Sequence, residues 1–299
     1  MSEIPILLNV FIRDTYISEI ISSLHNQGQK KIYISVDGPR NKDDVILIKR
    51  LLNKLNKKLK QTSIVGIYKI NKKNLGTEAS ITNAIDWFFK FEERGLILED
   101  DTIPLKGSLF FFKSQLEKYE NNINISSISG VNLSKSRYPN NLKNKTLLSP
   151  IMHCWGWATW RADWKKSKEI IKNISRKEII FSTKKGRHFK TDLAIFFRLL
   201  ILKILRGELK SWSHKFNLSA VILNNYSIVP IKSKIRYKGY DKFATNTIQK
   251  IKNIDNQKIY IYNPKETYDY EKYVYLNHFT NSKKNRLFIK IKGFLQNLL

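Results

Sequence analysis

The chain has 299 residues, room for one large domain or a domain with an appendage. Its 42% hydrophobic content, with six Trp, fourteen Tyr and sixteen Phe, excludes the disordered class. The single cysteine, Cys154, excludes an intrachain disulfide and a thiolate-based zinc site of the usual kind, and points to a reducing cytoplasm. With 54 Lys and Arg against 25 Asp and Glu, the net charge of +29 calls for an anionic partner: nucleic acid, an anionic membrane surface or a phosphate-bearing substrate. Lys, Asn and Ile are abundant throughout, so charge alone does not choose among them.

The opening MSEIPILLNVFIRDTY carries an acid at Glu3 and a short apolar run ending at Arg13. It reads as a strand over residues 4–12 rather than a signal peptide or a membrane span. Residues 15–25 have helical spacing, and KIYISVDG (31–38) is a strand ending at Asp37 and Gly38. An amphipathic helix over 43–59, a strand over 63–70, a helix over 80–91 and a strand over 95–98 follow, the last closed by Glu99, Asp100 and Asp101. A helix over 104–119, a short strand over 127–132 and a Lys/Asn/Pro-rich loop over 134–149 lead to MHCWGWATWRADW (152–164). Residues 165–210 read as helical and basic, and the chain closes on a basic amphipathic segment, 283–299, without an acid.

Strands alternating with helices predict an α/β fold: a mostly parallel, Rossmann-like sheet with helices on both faces. Ligands of such sheets gather at the carboxyl ends of the strands. Arg13, Asp37 and the acidic triplet all fall at predicted carboxyl ends and so converge on one rim. Glu99 and Asp101, one residue apart, point to the same side of an extended turn, and carboxylates at a strand end suit a hard cation, Mn²⁺ or Mg²⁺, that bridges to phosphates. A solvated acidic turn is the alternative. Asp37 could accept from a base or ribose, or cap the turn at Gly38; Arg13 could meet a uracil carbonyl or phosphate, or pair with Asp14. In NLGTEAS, Gly76 allows a tight turn, Thr77 is a candidate helix cap, and Asn74 and Thr77 could approach a nucleotide. Trp155 and Trp157 flank Gly156, an arrangement suited to stacking on a sugar while the backbone comes close, or to a buried aromatic corner. His153 reads as structural.

Taken in order, VFIRDTYISEIISSL, ISVDGPR, NLGTEASITNAIDWFF, LILEDDTIP, ISGVN, CWGWATW, SWSHKF and GYDKFATNT resemble the nucleotide-sugar glycosyltransferases of the GT-A fold, specifically bacterial sugar transferases related to the N-acetylglucosaminyltransferase that begins complex N-glycan branching. The resemblance covers some four fifths of the chain. It implies a transferase domain over 1–250 with a basic appendage over 251–299. Arg13 and Asp37 would contact the nucleotide, Glu99, Asp100 and Asp101 would form the metal and diphosphate site with Asp101 as the direct ligand, and Trp155, Gly156 and Trp157 would line the sugar and acceptor pocket. The family inverts, using an aspartate to deprotonate the acceptor. Here the chain departs: Trp212, Ser213, His214 and Lys215 stand where a tryptophan is followed by acids, so His214 is the substitute base, with Asp192 and Glu208 as upstream alternatives.

The expectation is therefore a metal-dependent transferase using a nucleotide-sugar donor, with uridine as the family's commonest base, and a glycan or lipid-linked acceptor in surface polysaccharide or lipopolysaccharide synthesis. It would sit on the cytoplasmic face of the bacterial inner membrane, with residues 283–299 against anionic lipid; residues 194–206 read as a core helix. A relative that lost catalysis at Ser213 and His214 is one competing reading. A nucleic-acid-binding protein is another, opposed by the acidic triplet, which repels phosphate unless a cation intervenes.

Overall fold

The computed structural model describes residues 3–132, 146–149, 151–173, 202–204, 206–208 and 210–239. Its first strand, β1 (Ile6–Val10), is buried along its whole length, which is what a strand covered on both faces requires. Ile6, Leu8 and Val10 face one apolar cluster with helices α1 (Ile17–Asn26), α2 (Lys42–Thr62) and α4 (Ser108–Lys118). Leu7 faces a second cluster with α3 (Thr77–Phe88), α5 (Arg161–Asn173) and α6 (Trp212–Ile222). The period of two along β1 thus divides the core into two layers.

With β2 (Lys31–Val36), β3 (Val65–Ile70), β4 (Arg94–Glu99), β6 (Ile125–Ser129), β7 (Thr146–Ser149), β8 (Trp157–Trp160) and β9 (Tyr226–Pro230), β1 forms an eight-stranded sheet in the order β3-β2-β1-β4-β8-β6-β9-β7. The sheet is mostly parallel; β8 runs antiparallel to both β4 and β6, and β7 antiparallel to β9. The α/β, Rossmann-like class expected from the pattern is the observed one. Strand order reverses between β1 and β4, because β2 and β3 grow to one side of β1 and β4 pairs on the other. That switch point opens a crevice beyond the carboxyl ends of β1 and β4.

Three expected boundaries move for identifiable reasons. The strand placed over 63–70 starts at Val65, because Ser63 ends α2 in the left-handed conformation, φ 53°. The helix placed over 80–91 starts at Thr77, with Gly76 at φ 77° as its N-cap; Thr77 is the first helical residue rather than the cap. The helix placed over 104–119 starts at Ser108, since residues Thr102–Pro104 form β5, paired antiparallel with β10 (Ile235–Tyr237). Proline tolerates that place on a short two-stranded ribbon. Among the described residues no helix is long and apolar enough to cross a membrane. The appendage over 251–299, its segment 283–299 and most of 194–206 lie outside the described residues.

Candidate active site at the switch point

The acidic triplet is a tight turn closed by its own neighbour. Glu99 N donates to Thr102 Oγ1 at 2.8 Å, and Thr102 Oγ1 donates back to Glu99 O at 2.9 Å, so the threonine fixes the reversal between β4 and β5. From the end of β1, Arg13 crosses the switch point: its Nη1 donates to Asp100 Oδ1 at 2.6 Å and to Asp101 Oδ2 at 2.5 Å, while Phe11 N donates to Asp100 Oδ2 at 3.3 Å. Arg13 therefore pairs across the crevice and not with Asp14, which pairs with Arg50 at 2.8 Å. Arg13, Asp100 and Asp101 are all buried.

Among the described residues one guanidinium, that of Arg13, faces the three carboxylates, and the carboxyls respond. Burial, then the charges of Asp101 and Asp100, hold Glu99 well above its ordinary range. Burial and Asp101 push Asp100 up to about 7, against the pull of Arg13 and the Phe11 amide. An all-oxygen donor set is the kind that a hard divalent cation takes. Among the described residues no group of three or more His, Cys, Asp or Glu side chains, the acidic triplet included, is arranged to hold a metal ion by itself.

Asp37, at the end of β2, is a structural hub. Its Oδ1 accepts from Gly38 N at 2.9 Å, Asn71 Nδ2 at 3.1 Å and Leu75 N at 3.1 Å, and its Oδ2 accepts from Asn74 Nδ2 at 2.9 Å. Asn74 thus binds Asp37 and, at 3.1 Å, Gly38 O. Both residues sit on the predicted rim, with their polar groups engaged in folding the 71–76 loop onto β2. A Cβ on Gly38 would lie 2.3 Å from the Lys73 carbonyl carbon, so glycine lets the loop close. The loop delivers the start of α3, whose first turn has no side-chain cap.

The tryptophans separate. Trp157 is 0% exposed, stacked on Trp212 at 5.3 Å and packed against Phe216, so it is core and not pocket lining. Strand alternation explains it: on β8 it faces the α3/α5/α6 layer. Trp155 is half-buried and stacks on Tyr237 at 4.2 Å and 12°. Gly156, at φ 68°, lets β10 approach, since a Cβ there would meet Ile235 Cγ1 at 2.7 Å. His153 is buried, and its backbone N donates to Ser129 Oγ at 3.0 Å.

β10 supplies what the sequence did not announce. Lys238 N donates to Asp101 O at 2.8 Å, and a Cβ on Gly239 would fall 2.1 Å from Tyr237 Oη and 2.5 Å from Asp101 Oδ2. A three-residue strand, IRY, carries too little pattern to be found locally.

The start of α6 reaches the same rim through Cys154. Its thiol is pushed up to about 12 by burial and by Glu99, and it hydrogen-bonds Ser213. His214 Nδ1 is 2.7 Å from Ser211 Oγ, and burial followed by Lys203 lowers its pKa. Lys215 pairs with Glu78 in the first turn of α3, tying the two helix starts together. Glu208 is exposed at the turn after 202–204, without a hydrogen bond to the triplet; Asp192 lies outside the described residues.

The topology and this rim define a mostly parallel, Rossmann-like α/β sheet with an acidic turn at its switch point. No protein-family model matches the sequence, and no curated protein is significantly similar. Among solved structures, apo UDP-glucose pyrophosphorylase is similar over 77% of this chain and 92% of its own at 12% identity, with a TM-score of 0.39. UDP-glucose pyrophosphorylase complexed with UDP-glucose is similar over 56% and 80% at 10% identity and TM-score 0.35. A 4-diphosphocytidyl-2C-methyl-D-erythritol synthase from Anaerococcus prevotii matches over 57% and 77% at 11% identity and TM-score 0.32. Likenesses this loose carry no argument about activity, which rests on the geometry above.

Proposed function

We propose that the chain is a metal-dependent inverting glycosyltransferase of the GT-A type, moving a sugar from a nucleoside-diphosphate donor, with uridine the first to test, to a glycan or lipid-linked acceptor of a bacterial surface polysaccharide or lipopolysaccharide. The observation that carries this is the acidic turn at the β1/β4 switch point, its Asp100 and Asp101 buried and bridged by Arg13, with the Glu99 and Asp100 carboxyls held above their ordinary range. An anionic diphosphate enters such a site together with a cation, and Asp101 is the residue assigned to hold Mn²⁺ or Mg²⁺. The ion, when bound, neutralises the diphosphate as a Lewis acid.

The protein's own groups supply the rest. The α3 and α6 starts direct backbone N–H groups and partial positive charge toward the rim, favouring a leaving diphosphate. His214, kept neutral near pH 7 by its lowered pKa, accepts the proton of the acceptor hydroxyl. The hydroxyl oxygen bonds the anomeric carbon as the carbon–oxygen bond to the diphosphate breaks, with inversion. Trp155 with Tyr237 offers an aromatic face for the sugar or acceptor. The enzyme would work on the cytoplasmic face of the inner membrane, with the catalytic domain over 1–250 and residues 283–299 against lipid.

Calorimetry with UDP and other nucleoside diphosphates, with and without Mn²⁺, tests the donor site. Nucleotide-sugar turnover in wild type, Asp101→Ala and His214→Ala tests the chemistry. Mn²⁺-dependent binding lost in Asp101→Ala, and turnover lost in His214→Ala with binding retained, are the expected results; absence of any nucleotide binding ends the enzyme reading. A second reading, a sugar-nucleotide-binding relative without transfer, is favoured by the missing carboxylate over Trp212–Lys215 and is met by binding without turnover in wild type.

A further inference from the structure

The opposite rim of the sheet carries a second concave site. Arg94 begins β4 and Glu99 ends it, so five steps of strand, roughly 16 Å, separate that rim from the acidic turn. There the turn after α3 is clamped to the start of α5: Arg161 N donates to Glu93 O at 2.7 Å, its Nη1 donates to Phe89 O at 3.2 Å, and its guanidinium pairs with Glu93. Between α3 and α5 lies a cavity of about 530 Å³. Its floor is aromatic, Phe89 and Trp164, both buried. Its walls carry Lys90, Arg161, Lys165 and Lys168 against a single acid, Asp86.

The acid is already engaged, accepting from Trp164 Nε1 at 2.7 Å and from Lys168 Nζ at 2.5 Å. Lys90 and Lys165, both exposed, enter no ion pair among the described residues. Next to Lys90, Phe91 stands 61% exposed, with one ring neighbour in Tyr33 and another in Trp87. Two ammonium groups without an ion pair among the described residues line a small aromatic-floored cavity, and the exposed ring of Phe91 follows Lys90 in the chain; together they match a phosphate at a lipid–water boundary. A nucleic-acid backbone asks instead for an extended groove with several exposed stacking rings.

We infer that this cavity seats the phosphate headgroup of an anionic phospholipid, with Phe91 entering the interface beside it. The contact is additional to any made by residues 283–299 and leaves the acidic turn facing away from the bilayer surface.

The test is co-sedimentation of the full chain with vesicles of phosphatidylcholine alone and of equimolar phosphatidylcholine and phosphatidylglycerol. Lys90→Glu with Lys165→Glu should lower partition onto the anionic vesicles about tenfold or more, and Phe91→Ser by several-fold. Lys49→Glu with Lys57→Glu, the same charge change at exposed positions of α2, should lower it less than about threefold. Equal losses in the two doubles mean diffuse attraction and overturn the site, as does wild-type partition in the cavity double. Loss of stabilisation by inorganic phosphate, or of oligonucleotide binding, with vesicle partition unchanged would overturn the lipid assignment in favour of a free anion or a nucleic acid. If reversal lowers the melting temperature, Lys90→Gln with Lys165→Gln takes its place. Mn²⁺-dependent nucleotide binding should be unchanged in every cavity variant, so failure here and failure of the sugar-transfer reading are told apart.

Discussion

Replacing Arg13 by Gln removes the positive charge that holds the acidic turn while keeping a side chain of similar reach. Two ion pairs at 2.6 and 2.5 Å disappear, with all three side chains no more than 13% exposed. Breaking a buried pair by deleting one partner costs about 3–5 kcal/mol, because the charge left behind loses that partner while still held out of water. The cost should depend on pH in a defined direction. Glu99 and Asp100 have folded pKa values raised above the ordinary carboxylate range, Asp100 to about 7. The native state therefore binds more protons than the unfolded chain between about pH 4 and pH 7, and stability falls as pH rises through that window. Without Arg13 both groups rise further, the window extends above pH 7, and the variant's deficit grows from pH 5 to pH 8. Urea unfolding in EDTA at the two pH values reads this directly, and Mn²⁺ should restore more stability to Arg13→Gln than it adds to wild type. A deficit below about 1 kcal/mol, the worth of an exposed pair, or one that shrinks toward pH 8, would refute the reasoning.

Asp37→Ala should lower stability by about 3 kcal/mol, since a buried carboxylate accepting from Gly38, Asn71, Asn74 and Leu75 is lost and their donors are stranded; Asp37→Asn should cost less, and thermal melts with both variants check the order. Gly239→Ala places a methyl group against Asp101 Oδ2 and Tyr237 Oη, so Mn²⁺-dependent nucleotide affinity should drop about tenfold or more with the melting temperature little changed, as measured by calorimetry. Asp44, buried and paired with Arg40 at 2.7 Å, has its pKa lowered by that hydrogen bond. Its stabilisation is present above the unfolded carboxylate value and lost as pH falls through the lower folded one, so Asp44→Asn should cost about 1–2 kcal/mol at pH 7 and progressively less below pH 4 in urea titrations.

The first half of the chain was readable because each of its strands is fully covered or half-covered and each helix carries a clear apolar stripe. Spacing selects Ile17, Ile20, Ile21 and Leu24 on α1 and Ile48, Leu51, Leu55 and Leu59 on α2, all buried; Ile46 and Leu52, read as part of the same α2 stripe, are 68% exposed and half-buried respectively. The acidic turn was readable for the same reason: an apolar β4 ends in three acids, and its rim position follows from topology. Three things were not. β5 and β10 are three residues each and exist through their mutual pairing, 131 residues apart at Ile235 and Pro104, which no local window contains. The engagement of Arg13 with Asp100 instead of its neighbour Asp14 depends on the β1–β4 pairing. Trp155 and Trp157 look equivalent in CWGWATW and go to opposite layers because Gly156 turns the chain between them.

The charge distribution sharpens what the net charge of +29 means. On α2, Lys49, Lys57 and Lys60 are exposed, and α5 presents Lys165, Lys166 and Lys168 to solvent. The switch-point crevice is the reverse: Arg13 is consumed by Asp100 and Asp101, Lys215 by Glu78, and Asp37 by backbone and amide donors that carry no charge. A free phosphate approaching the crevice would meet clustered carboxylates, whereas one approaching α5 would meet exposed lysines, of which Lys165 has no ion pair among the described residues and Lys168 pairs with Asp86. On the proposed reading, long-range attraction and local binding are separated on this molecule: the basic surfaces would concentrate anions near it, and the acidic turn would take one together with a cation. A protein built only to hold polyanions gains nothing from placing three carboxylates at its switch point, Asp100 and Asp101 buried and Glu99 half-buried, at a cost visible in the raised pKa values of Glu99 and Asp100. That cost is the physical ground for reading the turn as a site.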